Sequence, residues 1–197
     1  MREFLIAVIA AVTVQNILFT RGLGSSRLLL VSKRSGKDTA IFGGFMLLFL
    51  LVLTSFSFLI EDIVSKTTLA PLYIMRPIAY LVTATLLYAA LCIVCSLFFK
   101  DFFEKKEKLI TSACFNCAVF GTVLLTISKY YSFGARIGYA AGSCVGFLLA
   151  MFIVSEGRRR IELSKVPAAF KGLPAALIYI GLISLAFYGL TGHQLPA

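Results

Sequence analysis

Charged residues are scarce in this sequence. Asp, Glu, Lys and Arg make up only 14% of its 197 residues, whereas about a quarter of the residues in a typical soluble domain are charged. Hydrophobic residues account for 59% of the chain, and its mean hydropathy is +0.94. No polar stretch is long enough to fold as a separate soluble domain. The composition therefore predicts one integral membrane domain, 1–197.

The sequence also lacks the motifs of a self-contained enzyme. It has no nucleophile–base pair, no phosphate-binding loop and no dinucleotide fingerprint. No carboxylate falls at the centre of a predicted span, so this chain alone has no obvious proton or sodium relay. All five cysteines lie within predicted spans, which argues against a disulfide framework. Any cofactor-binding domain must therefore come from a partner.

Six apolar runs approach the ~20 residues that a helix needs to cross a hydrocarbon core of ~30 Å. They predict six transmembrane helices, of which the first is an uncleaved span because it lacks a small-residue cleavage site. The runs cover 4–19, 41–60, 78–99, 109–128, 137–154 and about 168–190.

Positive charges are divided unevenly between the predicted loops. Fourteen of the 19 Lys and Arg residues share one side: five follow the first span, four lie between the third and fourth, and five lie between the fifth and sixth. Because cytoplasmic loops carry the excess of Lys and Arg, both termini are predicted to lie outside. The net charge of +10 therefore indicates loops at a membrane surface and not nucleic acid binding.

The charged segment KDFFEKKEK, predicted as a loop at 100–108, separates a first half (1–100) from a second (101–197), each with three predicted spans. If the halves are related, an odd number of spans requires the second to be inverted, and such repeats build a midplane site from interrupted helices. Candidate interruptions are TRGLGSSRLLL at 20–30 and FNCAVFG at 115–121. Asn16 and Asn116 fall at similar depth in the two halves.

FNCAVFG places an amide, a thiol and a glycine in the middle of a predicted span. Burying an amide without a partner costs a few kcal/mol, and irregular backbone at this depth must be buried in protein or line a cavity. The residue types alone predict a buried polar site at Asn116 and Cys117.

Several other features have simpler interpretations. Glycines at four-residue spacing, Gly138, Gly142 and Gly146, share one helix face and predict close packing. Small-residue packing is also the interpretation for the remaining cysteines in spans three and five, Cys92, Cys95 and Cys144. Charges at span ends are predicted to be solvated or interfacial, namely Glu61, Asp62 and Arg76.

Several strings resemble the RnfA/NqrE family of membrane subunits. They are NCAVFG at 116–121, VSK at 31–33 after LG at 23–24, YIMR at 73–76, and VPAAFKG continuing to GLISLAFYG within 166–189. The resemblance covers nearly the whole chain. It implies two inverted three-helix repeats with broken first and fourth helices, in one membrane component of an Rnf-type electron-transport complex of the bacterial cytoplasmic membrane.

The same resemblance implies a partner and a cofactor. In the family, such a chain pairs with an RnfE-like membrane subunit, and the helix breaks hold cysteines that bind an iron–sulfur cluster shared by the two chains. Flavin- and ferredoxin-type subunits complete the complex. It couples electron transfer on the ferredoxin/NAD side to movement of Na⁺ or H⁺.

One residue departs from the family pattern. Cys117 matches the family's fourth-helix cysteine, with Asn116 before it, but the first-helix cysteine falls on Ser26, two residues after Gly24. Serine is a much poorer iron ligand than thiolate. Either the cluster is absent or altered, or Ser26 binds weakly, or Cys114 supplies the missing thiolate. Two further functions stay open: a small-solute transporter, and a non-redox scaffold that has lost the cluster.

Overall fold

Helix is the regular secondary structure of the part of the chain that the structure, a computed structural model, describes. The described residues are 2–25, 36–65, 72–98, 100–128, 132–163, 167, 170 and 172–191, and no strand occurs among them. Seven helices fall in these ranges: α1 Arg2–Val12, α2 Gly36–Ser65, α3 Leu72–Phe98, α4 Lys100–Cys114, α5 Cys117–Ser128, α6 Phe133–Leu163 and α7 Leu173–Thr191. The predicted all-α class is confirmed.

Four helical segments within the described ranges are long and apolar enough to cross a membrane. They are Asp38–Asp62, Pro77–Phe98, Phe103–Ser128 and Phe133–Leu163, and a shorter apolar helix covers Leu173–Gly189. Together these five segments match the second to sixth predicted spans. The chain is therefore a multi-pass membrane protein.

The two charged segments of the second half are helical, which corrects the sequence prediction. Residues 100–108 were predicted as a loop, but they form the first turns of α4. This segment is amphipathic, so its apolar side extends the helix that buries Leu109 and Ile110. In the same way, α6 continues past the predicted end of its span through the arginines at 158–160.

α1 and α6 form the most extensive helix pair. Each of the three predicted packing glycines of α6 lies against α1 or the residues that follow it. A Cβ atom on Gly138 would lie 2.6 Å from the carbonyl oxygen of Phe4, and one on Gly142 would lie 2.6 Å from that of Val8. The packing interpretation of the four-residue glycine spacing is confirmed.

Each end of the bundle has a polar contact that joins the ends of two helices. At one end the Ser132 hydroxyl donates to Glu3 Oε2 at 2.6 Å, which ties the start of α6 to the start of α1. At the other end Lys106 of α4 forms an ion pair with Asp38 at the start of α2. The arrangement is consistent with the predicted division of charged residues between two membrane sides.

The glycine face of α6 gives a first prediction. Gly142→Ala places a Cβ 2.6 Å from a carbonyl oxygen and 2.9 Å from the Ala11 Cβ, so α1 must move away. We expect a loss of about 1–3 kcal/mol in the free energy of unfolding, as for other overpacked sites. Thermal unfolding in detergent micelles, followed by circular dichroism at about 222 nm, where helices absorb, measures the loss.

Gly44→Ala on α2 is the matched control. No heavy atom lies within 4 Å of a Cβ built at Gly44, so the higher helix propensity of alanine makes this change neutral or slightly stabilising. Equal shifts in the two variants would contradict the packing interpretation.

Candidate functional site

The first helix ends well before the break predicted at 20–30. α1 stops at Val12, so the predicted continuous span 4–19 is wrong. The Thr13 hydroxyl donates to the Ile9 carbonyl at 2.8 Å, and the Gln15 N–H bonds the Ala10 carbonyl in an i−5 pattern that departs from the α-helix. The irregular backbone thus begins near residue 13.

Asn16 then starts a single capped turn. Its Oδ1 accepts hydrogen bonds from the N–H groups of Leu18 (3.1 Å) and Phe19 (3.3 Å), as an N-cap side chain does. Its Nδ2 donates to the carbonyl of Gly146 on α6 at 3.0 Å. Asn16 is fully buried, and both ends of its amide are satisfied.

Gly22 closes this turn. Its N–H bonds the Leu18 carbonyl at 2.8 Å, and the Leu23 N–H bonds the Ile17 carbonyl at 3.2 Å. The bond from Gly22 to Leu18 has the i→i−4 pattern of an αL C-cap, which requires a left-handed residue where Gly22 has a φ of +68°. The first break is therefore an ordered structure in which the side chain of Asn16 and the backbone provide the hydrogen bonds that α1 no longer makes.

The second break lies inside FNCAVFG, as predicted. α4 ends at Cys114 and α5 begins at Cys117. The Asn116 Oδ1 accepts from the Ala118 N–H at 3.2 Å, and the Asn116 carbonyl accepts from the Val119 N–H at 2.9 Å. Asn116 is thus the N-cap of α5, the same role that Asn16 has in the first break.

The two breaks meet at the thiol of Cys117. The backbone N–H of Gly24 donates to Cys117 Sγ at 3.1 Å, across 93 residues of sequence. Gly24 has a φ of +87°, and a Cβ atom there would lie 2.5 Å from the ring of Phe147. Beside them, Leu23 occupies space that a side chain on Gly121 would fill. The structure therefore brings together three predicted site residues: Gly24, Asn116 and Cys117.

The thiols near the break differ in their surroundings. Cys117 is exposed on the protein surface, and its thiol also lies 3.8 Å from Asn116 Oδ1 as a weak donor. Cys114 is fully buried in the hydrophobic core of the chain. Because the helix is interrupted between Cys114 and Cys117, the two residues do not occupy successive turns of one continuous helix.

The amide nitrogen of Asn116 is unpaired within the part of the chain that the structure describes. Asn116 is only 1% exposed, yet its Nδ2 bonds no acceptor among the residues that the structure describes, unlike the Nδ2 of Asn16. An unsatisfied buried donor costs roughly 1–3 kcal/mol. The second break therefore carries the cost of one unsatisfied amide donor, whereas the corresponding donor of the first break is hydrogen-bonded.

Among the described residues at the two breaks, Cys117 is the exposed thiol that fits a ligand for a metal cluster. Cys117 offers an accessible thiol at a polar break, and an N–H···S bond of the Gly24 type is one of the factors that tune iron–sulfur sites. Within the described residues no group of three or more His, Cys, Asp or Glu side chains is arranged to hold a metal ion. Ser26 lies outside the described residues. The role of Cys114 as a substitute ligand stays a prediction.

A buried ion pair lies near the other end of α2, and the sequence analysis missed it. Glu61 was predicted to be solvated, but it is only 9% exposed and its Oε2 accepts a 2.7 Å hydrogen bond from Arg136 Nη1. The Arg136 guanidinium also lies 5.3 Å from the centroid of the Phe58 ring. Since the partners are 75 residues apart, only a predicted contact between α2 and α6 could have revealed the pair.

These features define a class: a multi-pass helical membrane protein in which two interrupted segments meet around a thiol. The family model described as "Rnf-Nqr subunit, membrane protein" matches residues 4–194. The chain belongs to this Rnf-Nqr family.

Relatives in several bacteria are named as one component of an "ion-translocating oxidoreductase complex". The chain is 33% identical to the one from Vibrio cholerae serotype O1, 32% to that from Vibrio vulnificus and 31% to that from Syntrophotalea carbinolica. Each similarity covers 98% of this chain and 98% of the relative.

The junction of the breaks predicts different effects for two glycine substitutions. Gly24→Ala and Gly22→Ala both put alanine at positive φ, at a cost of roughly 1–2 kcal/mol. Only at Gly24 does the new Cβ also overlap a ring, because nothing lies within 4 Å of a Cβ at Gly22. We expect severalfold slower maleimide labelling of Cys117 in Gly24→Ala, because the displaced N–H no longer stabilises the thiolate that reacts. Mass spectrometry of the labelled peptide measures this rate.

Gly22→Ala serves as the control for that experiment. Its Cys117 labelling rate should stay within about twofold of the original protein, because the cost at Gly22 is one of backbone conformation alone. The same change of rate in both variants would show that general loosening, and not the Gly24 contact, governs the reactivity of the thiol.

The buried ion pair predicts a strong coupling. Glu61→Gln or Arg136→Gln alone removes one partner of a buried pair and should cost about 3–5 kcal/mol of unfolding free energy. The double variant should lose clearly less than the sum of the two. Arg159→Gln, which removes an exposed partner of Glu156, should change stability by less than about 1 kcal/mol. Additive losses in the thermal unfolding of the double variant would argue against a direct pair.

Proposed function

We propose that this chain is a membrane subunit of an ion-translocating oxidoreductase complex, in which it forms half of an intramembrane electron conduit. The complex would couple electron transfer on its ferredoxin/NAD side to translocation of Na⁺ or H⁺. Membership of the Rnf-Nqr family and the name that its relatives share support this proposal. Similarity along 98% of both chains supports a role for the whole chain rather than for one part.

The observation that carries the proposal is the hydrogen bond between Gly24 and Cys117. It fixes one interrupted segment against the other and leaves the thiol on the surface. A thiol held there can reach a group shared with a neighbouring chain, whereas Cys114 is fully buried within this chain. We infer that the neighbour is an RnfE-like membrane subunit, with flavin- and ferredoxin-type subunits further along the complex.

The inverted repeat and the orientation belong to the same proposal. Asn16 and Asn116 cap equivalent turns in the first interrupted segment of each half, which supports two inverted three-helix repeats with six spans. The contacts at opposite ends of α2 support the charge-based division into two sides. With the excess of Lys and Arg in the cytoplasm, both termini lie outside a bacterial cytoplasmic membrane.

An iron–sulfur cluster, when bound, would supply one-electron transfer within the membrane. Cys117 is the residue of this chain that would hold it, and Asn116 and Gly24 would position that thiol. Ser26 stands where the family resemblance expects the second cysteine. This serine favours a second candidate function, a scaffold that keeps the fold and the partner but has lost the cluster.

Iron content separates the two candidates. The complex should be purified through a tag on this chain, with iron counted and low-temperature EPR spectra recorded for Cys117→Ala and for the half-buried control Cys95→Ala. For the conduit, Cys117→Ala loses iron and the EPR signal while Cys95→Ala keeps both. Unchanged iron and spectra in Cys117→Ala would remove Cys117 from the metal site.

Ser26→Cys tests the scaffold. If the chain has lost only a ligand, iron and visible absorption should be low in the original complex, rise in Ser26→Cys and fall again when Cys117→Ala is added. An original complex that already contains iron held by Cys117 would contradict the scaffold. Transport of a solute by the isolated chain in liposomes, without redox partners, would contradict both candidates.

A further inference from the structure

We propose that the groove between the end of α6 and the start of α7 binds one anionic phospholipid. The groove has a volume of about 570 Å³. It lies far from the paired breaks in sequence and shares none of their residues. The inference rests on the membrane location of the chain and is independent of the proposed electron transfer.

The groove crosses the boundary between the apolar and the charged part of α6. Phe152 and Ile153 line one end, and Arg160 and Ile161 line the other. The helix rises about 12 Å between Phe152 and Arg160, at about 1.5 Å per residue. A ligand that fills the groove must therefore be apolar at one end and polar at the other.

The floor of the groove depends on a glycine. The ring of Tyr179 from α7 lies directly on Gly157, where a Cβ atom would overlap it. This contact brings α7 close to α6 at the bottom while the surface above stays open, and both residues line the groove. The groove is thus built by the packing of two spans.

The charge at the polar end is complementary to a phosphate. Three consecutive arginines, Arg158–Arg160, lie between two carboxylates, Glu156, which also lines the groove, and Glu162, so this end of α6 keeps a net positive charge. The nearest guanidinium nitrogens of Arg159 and Arg160 lie 4.0 and 3.8 Å from Glu156, beyond normal hydrogen-bond distance. With the Arg160 side chain 82% exposed, its planar fork of N–H donors can bind phosphate oxygens in pairs.

The apolar end favours a lipid over a soluble anion or an acidic protein segment. Exposed apolar side chains continue from Phe152 along the same face of α6, through Leu149 to Val145. An acyl chain would cover this strip below a headgroup at the arginines, and basic pockets between spans are known sites for acidic headgroups. A free phosphate would leave the strip uncovered.

Fluorescence quenching tests the proposal, because the chain has no tryptophan. Phe152→Trp places one fluorophore at the exposed end of the groove. The full chain is reconstituted in phosphatidylcholine vesicles that contain a small fraction of brominated phosphatidylglycerol or, separately, brominated phosphatidylcholine. We expect half-maximal quenching at a much lower fraction of the brominated phosphatidylglycerol.

Charge removal supplies the matched comparison. Arg159→Gln with Arg160→Gln should weaken the preference for phosphatidylglycerol about thirtyfold, if each arginine contributes as a surface charge typically does. Lys105→Gln with Lys108→Gln removes two exposed charges from α4 and should leave the preference intact. A similar loss in the lysine variant would reduce the preference to general surface charge and overturn the site.

Two further results would overturn the proposal. Relief of quenching by excess glycerol 3-phosphate would identify a soluble phosphate site. Absence of quenching in the intact complex, when the isolated full chain is quenched, would show that a partner protein covers the groove. The lipid site is supported if the preference for phosphatidylglycerol persists in both the isolated chain and the intact complex, and if native mass spectra show one phosphatidylglycerol still bound.

Discussion

The N–H of Gly24 bonded to Cys117 Sγ is the contact on which the arrangement of the two breaks depends. Within a bilayer every backbone N–H needs a partner in the protein, because no water is present to replace it. Each break interrupts a helix and so creates unpaired donors. Asn16 and Asn116 bond the donors at the start of each new turn. The backbone N–H of Gly24, in the first break, bonds the thiol of Cys117, in the second break. This hydrogen bond holds the two breaks together.

The glycine face of α6 and the first break are physically linked. Gly146 packs against the end of α1, and its carbonyl accepts the hydrogen bond from Asn16 Nδ2. A Cβ atom on Gly146 would lie 3.1 Å from that nitrogen, so a larger residue would crowd the cap as well as the helix pair. The position that permits close packing therefore also permits the helix to stop at Val12. Gly146 thus allows both the close packing of α1 on α6 and the interruption of the first helix after Val12.

The sequence predicted those features that depend on local residue types. The all-α class, the break within FNCAVFG and the packing role of Gly138, Gly142 and Gly146 each follow from a pattern of adjacent or periodic residues. The early end of α1 could not be predicted in this way, because Asn16 needs an acceptor 130 residues away on α6. The solvation predicted for Glu61 is wrong for the same reason. Its partner Arg136 becomes visible only when α2 and α6 are placed side by side.

Residues 100–108 show the opposite error, in which a local signal was given too much weight. Their charge density suggested a loop, yet lysine and glutamate are good helix formers. Lys106 also gains the carboxylate of Asp38 as a partner once the segment is helical. The periodicity of the apolar residues in a charged segment next to a span therefore predicts its structure better than its net polarity does.

The two halves of the chain have taken different roles around their breaks. The amide of Asn16 is fully satisfied, whereas Asn116 Nδ2, beside an exposed thiol, bonds no acceptor in the described ranges. An unpaired donor of this kind costs about as much as a typical destabilising substitution. In the first half, serines follow Gly24, and the backbone N–H of Gly24 is the group that contacts the thiol of the second break. In the proposed conduit, the first break therefore orients the thiol of Cys117 and the second break carries it, so the chemistry of a group bound between subunits depends on Cys117 far more than on the serines of the first half.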